Sequence, residues 1–293
     1  MPDRTASNPL TGVRSILESP ILDEHKWSKI TSIPTDAVLL DLEDSVTPDR
    51  KDEARDRVTA QLARPDELPG KVQIPRANSL DSPYGENDLR ALARAGASVV
   101  AYPKVRDADE LDRAAQLLNI EGRRTWLLPI IETAAAIVHL EQLAARPDVA
   151  GFIFGPFDLA VDAGITALEG DGLFQDAYYY AKSKLVLVGA AYGLPVYDMV
   201  AVRLLKDLAS VEKAADHAQR LGFTGMATFY PPHVPIINRS FTPPASAIAA
   251  ARRVVTAYEQ SLAAGRAATQ LDGEPVIVQD YKRAQRVLAR ARR

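Results

Sequence analysis

The chain has no cysteine, which excludes disulfides, thiolate metal sites and a cysteine nucleophile. It also lacks a strong excess of either charge. Its 35 lysines and arginines stand against 38 aspartates and glutamates, a formal net charge of −3, without the basic surplus that binding phosphate backbones requires. No apolar run approaches the ~20 residues of a membrane span. The opening MPDRTASNPLTG has no apolar signal core. These absences predict a cytoplasmic protein with neither a membrane nor a nucleic-acid partner. GxGxxG, GxxxxGK[ST] and Gly-x-Ser-x-Gly are missing, so dinucleotide, P-loop and serine-elbow chemistries have no support. His25, His139, His217 and His233 do not have metal-pair spacing, and His139 and His217 fall in helical segments, where a structural role is expected.

What the chain does have is bulk and a repeating pattern. At 293 residues and 47% hydrophobic it can bury one large core. Apolar runs at 14–17, 37–42, 71–77, 97–102, 126–131, 149–154, 194–197 and 225–230 alternate with helix-period segments, and charged residues recur just after the runs. That alternation predicts an α/β fold, a (β/α)8 TIM barrel with its site at the carboxyl-terminal strand ends. The expected organisation is a loose tail at 1–12, a catalytic barrel at 13–240 and a helical extension at 241–293. Within the extension, helices at 244–265 and 281–291 flank a turn at Asp272-Gly273.

The stretch 126–162 reads strand, helix (134–145), strand, with Glu132 after the first strand and Asp158 after the second. Neighbouring parallel strands lie ~4.8 Å apart, so the two carboxylates can converge on one cation. Hard oxygen ligands favour Mg²⁺ or Mn²⁺. The competing role for Asp158 is a helix cap. Asp41, Glu43 and Asp44 crowd the end of the second run, and strand alternation puts Asp41 and Glu43 on one face and Asp44 on the other unless the strand has already ended there. Crowded like charges raise one another's pKa, which suits a general acid or base, while Asp44 or Asp49 can instead cap a helix at 49–62. Arg76, after the third run, is suited to clamp a carboxylate or to pair with the acids. Lys104, after the fourth, is suited to anchor an anion, form a Schiff base or pair with an acid.

Several stretches together resemble the HpcH/HpaI aldolase/citrate lyase family, especially its citrate lyase β-subunit-like (CitE-like) branch. They are RSIL, LLDLEDSVTPDRKDEAR, PRANSLDSPYGENDL, AYPKV, LPIIETAAAI, FGPFDLAVDAG, YAKSKLVLVGAAYGLPVYD and RLGFTGMATFYPPHVPIIN. The resemblance implies Mg²⁺ on Glu132 and Asp158, Arg76 on the substrate carboxylate, Gly155 and Pro156 beside the substrate, and Arg14 and Lys104 at the cofactor. It further implies a trimer or dimer of trimers whose C-terminal segment covers a neighbour's site. The implied reaction makes or breaks a carbon–carbon bond between a small 2-oxo acid and an acyl-CoA, with CoA thioester as substrate and Glu43 or Asp44 moving the proton. Hydroxyacyl-CoA hydrolysis, aldol chemistry without CoA, and metal and oxo-acid binding without catalysis are the alternatives. Three positions depart from the family pattern. Glu18-Ser19-Pro20-Ile21 stands where V-P-G is usual, Tyr230 replaces a histidine, and Ile277 replaces a proton-transferring Asp, with Asp272 and Asp280 as possible substitutes.

Overall fold

A computed structural model describes residues 8–120, 122–165 and 176–291. Residues 1–7 of the expected tail, and the expected glycine-bearing loop from 166 onward, lie outside the described residues. The chain divides into two compact units, Met1–Asn238 and Arg239–Arg293.

The first unit is a closed barrel of parallel strands in chain order: β1 (Ser15–Ser19), β2 (Ala37–Asp41), β3 (Val72–Arg76), β4 (Val99–Tyr102), β5 (Trp126–Ile131), β6 (Phe152–Phe154), β7 (Val196–Met199) and β8 (Gly225–Thr228). β8 closes on β1 with Ser15 opposite Met226. This is the expected TIM barrel. Strands β2, β4, β5 and β6 are buried along their whole length because the barrel interior covers one face and helices cover the other, which is why they read as unbroken apolar runs. Ile16, Leu39, Ile74, Leu128 and Ile153 fill the interior. The helices of this unit are α1 (Glu24–Trp27), α2 (Lys51–Leu62), α3 (Gly85–Arg94), α4 (Ala108–Leu118), α5 (Ala134–Val138), α6 (Leu140–Ala145), α7 (Pro156–Ala163), α8 (Asp176–Tyr192) and α9 (Leu208–Leu221), and α10 (Val234–Ser240) runs across the division at residue 238.

Two expectations change. The single helix at 134–145 is interrupted at His139, whose φ of −94° and ψ of 13° leave the helical range, so α5 and α6 are separate. Residues 8–12 are not loose. Leu10 is buried in the barrel core, Asn8 Nδ2 donates to Ala150 O (2.7 Å), and Tyr197 Oη donates to Leu10 O (3.2 Å). One buried leucine and a satisfied amide are enough to fix five residues that look like tail by composition.

The second unit pairs α11 (Ala245–Ala263) with α12 (Val278–Ala291) through a hairpin, β9 (Thr269–Leu271) and β10 (Glu274–Val276). Asp272 and Gly273 both have positive φ (54° and 86°), as a two-residue hairpin turn matching strand twist requires. Tyr258 stacks on Tyr281 at 4.9 Å. α12 begins earlier than its apolar period predicts because Asp280 accepts from Ile277 N (3.1 Å), fixing the first turn. Among the described residues no helix is long and apolar enough to cross a membrane.

Candidate active site at the carboxyl-terminal mouth

Asp41 is the last residue of β2, so strand alternation stops there, and both Glu43 and Asp44 turn toward the barrel mouth instead of to opposite faces. Asp41 holds this turn: its carboxylate accepts from Glu43 N (2.8 Å) and Ser45 N (2.9 Å). Lys51 reinforces it from α2, donating to Leu42 O and Glu43 O (both 2.7 Å) and to Asn78 Oδ1 (2.9 Å). Neither Asp44 nor Asp49 caps α2, whose N-cap position is Arg50 with no side-chain cap.

Arg76 ends β3 and lies buried among acids. Nε donates to Asp41 (2.6 Å) and Nη2 to Glu18 at the end of β1 (3.1 Å), while among the described residues Nη1 makes only long contacts, with Glu43 (3.5 Å) and Asp44 (3.8 Å). The Nη1 edge is therefore the one open to an incoming carboxylate. Burial works against ionising Asp41, but the adjacent guanidinium overcomes it and lowers Asp41 to about 2. Glu18 is more weakly held and burial dominates, raising it to about 7.

Lys104 follows β4 in the left-handed region (φ 52°), a conformation that costs a non-glycine residue energy and aims its backbone N–H at Glu132 Oε1 (2.7 Å). Its ammonium donates to Glu43 Oε1 (2.6 Å) and approaches Asp44 (3.5 Å) and Asp158 (3.9 Å). Burial lowers the Lys104 pKa, and the Glu43 hydrogen bond and surrounding acids outweigh this, leaving it well above its ordinary value. Of the roles considered for Lys104, the geometry shows the ion pairing with these acids.

Glu132 leaves β5 fully enclosed (4% exposed). Burial first, then the charges of Glu43 and Asp158, push its carboxyl up to about 8. Asp158 lies in the first turn of α7, whose N-cap is Gly155, so it is not the cap considered above. Gly155 is required by close approach: a Cβ there would lie 2.5 Å from Glu132 Oε2 and 2.6 Å from Glu132 Cβ.

A cavity of about 170 Å³ is lined by Glu18, Asp44, Arg76, Glu132, Gly155, Pro156 and Asp158, with Phe157 and Phe229 at its rim. A wider groove of about 480 Å³, lined by Glu43, Asp44, Lys51, Asn78, Tyr84 and Lys104, meets it at Asp44. Arg14 does not join this group. It precedes β1, at the opposite, amino-terminal mouth, and its guanidinium pairs with Asp36 (2.8 Å), so the barrel separates it from the other predicted residues. Glu18, known from the sequence only as a departure from the family pattern, joins the mouth together with Lys51 and Asn78, to which the sequence assigned no role. Lys51 and Asn78 stood inside quoted motifs, and Glu18 was visible as a lone charge on the same strand face as the core residue Ile16.

The donor set fits a hard divalent cation. Glu132 and Asp158 offer oxygen ligands where negative charge converges, and Glu43 Oε2 is buried without a hydrogen-bond partner. Among the described residues no three His, Asp or Glu side chains group closely enough to complete a metal site. Two carboxylates, with remaining positions left to water and substrate, is a pattern Mg²⁺ accepts.

Fold and mouth together define a TIM-barrel enzyme with its chemistry at the strand ends. The pattern of the HpcH/HpaI aldolase/citrate lyase family matches residues 15–231, and the chain belongs to that family, in its citrate lyase β-subunit-like branch. It is 32% identical to the citrate lyase subunit beta of Escherichia coli (strain K12), over 95% of this chain and 93% of that one. It is 30% identical to a (3S)-malyl-CoA thioesterase of Cereibacter sphaeroides (strain ATCC 17025), over 95% and 94%. The structure of CitE from Mycobacterium tuberculosis in complex with magnesium, acetoacetate and coenzyme A superposes with a TM-score of 0.80 at 25% identity, covering 96% of this chain and 98% of that one.

Proposed function

We propose that this protein is a Mg²⁺-dependent lyase that makes or breaks a carbon–carbon bond between a small 2-oxo acid and an acyl-CoA thioester. The observation that carries the reading is the meeting at Asp44 of two spaces, the small cavity with Glu132, Asp158 and Arg76 and the wider groove beside Lys104. A divalent cation on Glu132 and Asp158 supplies Lewis acidity toward a carbonyl oxygen. The Nη1 edge of Arg76 orients the oxo-acid carboxylate. Asp44, at the junction, and Glu43, raised by burial against the pull of Arg76 and Lys104, serve the proton of the thioester's α-carbon. Lys104 balances the charge of these acids, and Gly155 and Pro156 wall the oxo acid. The similarity to a citrate lyase subunit and to a CitE complexed with magnesium and coenzyme A supports this assignment.

Hydrolysis of a hydroxyacyl-CoA is the second reading, favoured by position 277. That residue is isoleucine, and the nearby Asp272 and Asp280 are engaged by Arg253 (2.6 Å) and Ile277 N. We further propose a cytoplasmic homo-oligomer, a trimer or dimer of trimers with the second unit against a neighbouring subunit. Val138, Val161, Tyr180 and Leu187 expose apolar surface on α5, α7 and α8, and Ile277 and Val278 do so in the second unit.

The test is calorimetric titration of acetyl-CoA and propionyl-CoA into protein holding Mg²⁺ and glyoxylate or pyruvate. Saturable ester binding that requires the oxo acid is expected, followed by detection of the condensed product. Conversion of added (3S)-malyl-CoA to free CoA and malate, with no acetyl-CoA or glyoxylate formed, selects the hydrolytic reading. Oxo-acid binding that survives Glu132→Ala refutes the site.

A further inference from the structure

We propose that Glu18 selects the oxo acid, turning the cavity against a second carboxylate and toward monocarboxylic 2-oxo acids such as glyoxylate or pyruvate. The inference rests on the oxo-acid reading above and narrows it. Glu18 shares the inward face of β1 with Ile16, and its side chain is 18% exposed. Arg76 Nη2 donates to its Oε1 (3.1 Å), and the residue lines the cavity.

The charge around that cavity is lopsided. Glu18, Asp44, Glu132 and Asp158 line it, and Arg76 is the one cation among the described lining residues. The same guanidinium already faces Asp41, Glu18, Glu43 and Asp44 within 3.8 Å. A single incoming carboxylate finds the Nη1 edge of Arg76. With the divalent cation on Glu132 and Asp158 engaged by the oxo acid's carbonyl, as proposed above, a second carboxylate finds Arg76 already taken, and an ionised Glu18 meets it with like charge. Beyond the charged groups the wall is apolar, formed by Ile16, Leu39, Ile130, Ile153 and Met199, which suits a hydrogen or methyl group on the far side of the carbonyl.

The test is calorimetric binding of pyruvate and of freshly dissolved oxaloacetate to the full chain in Mg²⁺ at about pH 9, where Glu18 is ionised. We expect wild type to bind pyruvate roughly tenfold or more tighter, because juxtaposed like charges in a partly buried site are strongly unfavourable. Glu18→Gln, which keeps the shape and an acceptor for Arg76, is expected to erase most of that preference. Glu18→Asp, which keeps the charge, is expected to retain it. Equal wild-type affinities, or a preference unchanged in Glu18→Gln, overturn the role of Glu18 while leaving the oxo-acid reading standing. If neither acid binds in Mg²⁺, the oxo-acid reading itself falls.

Discussion

Adding one methyl group at Gly155 tests the metal pair without removing any ligand. An alanine Cβ would sit 2.5 Å from Glu132 Oε2, 2.6 Å from Glu132 Cβ and 3.1 Å from Ile130 Cγ2. Carbon atoms rest at roughly 3.5–4.0 Å, so Glu132 and Gly155 must separate by about 1 Å. Because the clash includes Glu132 Cβ, a rotamer change cannot relieve it, and the end of β5 must shift against α7. Gly155 N donates to Ile131 O (3.1 Å), so that shift strains a ladder bond as well. Overpacking of this kind costs about 1–3 kcal/mol, a fall in Tm of roughly 2–10 °C for a chain of this size. A misplacement of about 1 Å at a reacting centre lowers turnover by on the order of a hundredfold. The assay is Mn²⁺ titration followed by electron paramagnetic resonance, with circular dichroism to establish that Gly155→Ala remains folded. A folded variant with Mn²⁺ affinity at least tenfold weaker is expected. Wild-type affinity together with an unchanged Tm would refute the claim that Gly155 exists to seat Glu132.

Four further outcomes follow from the same geometry. Glu132 is raised from 4.5 to about 8, so between those values the folded metal-free protein holds a proton the unfolded chain has released; its stability therefore falls by a few kcal/mol as pH rises from about 5 to 8. Thermal melts without metal should show that decline, and Glu132→Gln should flatten it; a flat wild-type profile contradicts the burial argument. Mg²⁺ affinity should correspondingly rise about tenfold per pH unit below about 8, since the ligand must lose its proton. Asp41→Asn leaves the buried Arg76 without its tightest partner, a loss of about 3–5 kcal/mol, so differential scanning calorimetry should record a Tm lower by roughly 10 °C. Asp280→Ala removes a helix-start bond worth about 1 kcal/mol and should leave turnover unchanged; a large fall in turnover would instead make Asp280 the proton-transfer group.

The barrel was legible because its signal is local. A strand buried on both faces must be apolar throughout, and the helices between carry their own period, so eight runs separated by helices define the architecture before any contact is known. Glu132, Asp158, Arg76, Glu43 and Asp44 were legible for the same reason, as charges placed where apolar strands end. Arg14, which the resemblance puts at the cofactor, precedes β1 and lies at the mouth opposite to the site, paired with Asp36. Leu10 and Asn8 look like tail because their partners, Ala150 and Tyr197, are more than a hundred residues away.

Sequence by itself determined the fold class, the strand-end acids and the family resemblance, all of which follow from short-range pattern. Only the tertiary structure decided which carboxylates share Arg76, that Lys104 is an ion-pair partner, and that Glu18 belongs to the same cavity as Glu132. Those facts depend on barrel closure. Closure brings the ends of β1, β3 and β5 around one small space, where burial and like charge set each group's ionisation, and no stretch of sequence carries that sum.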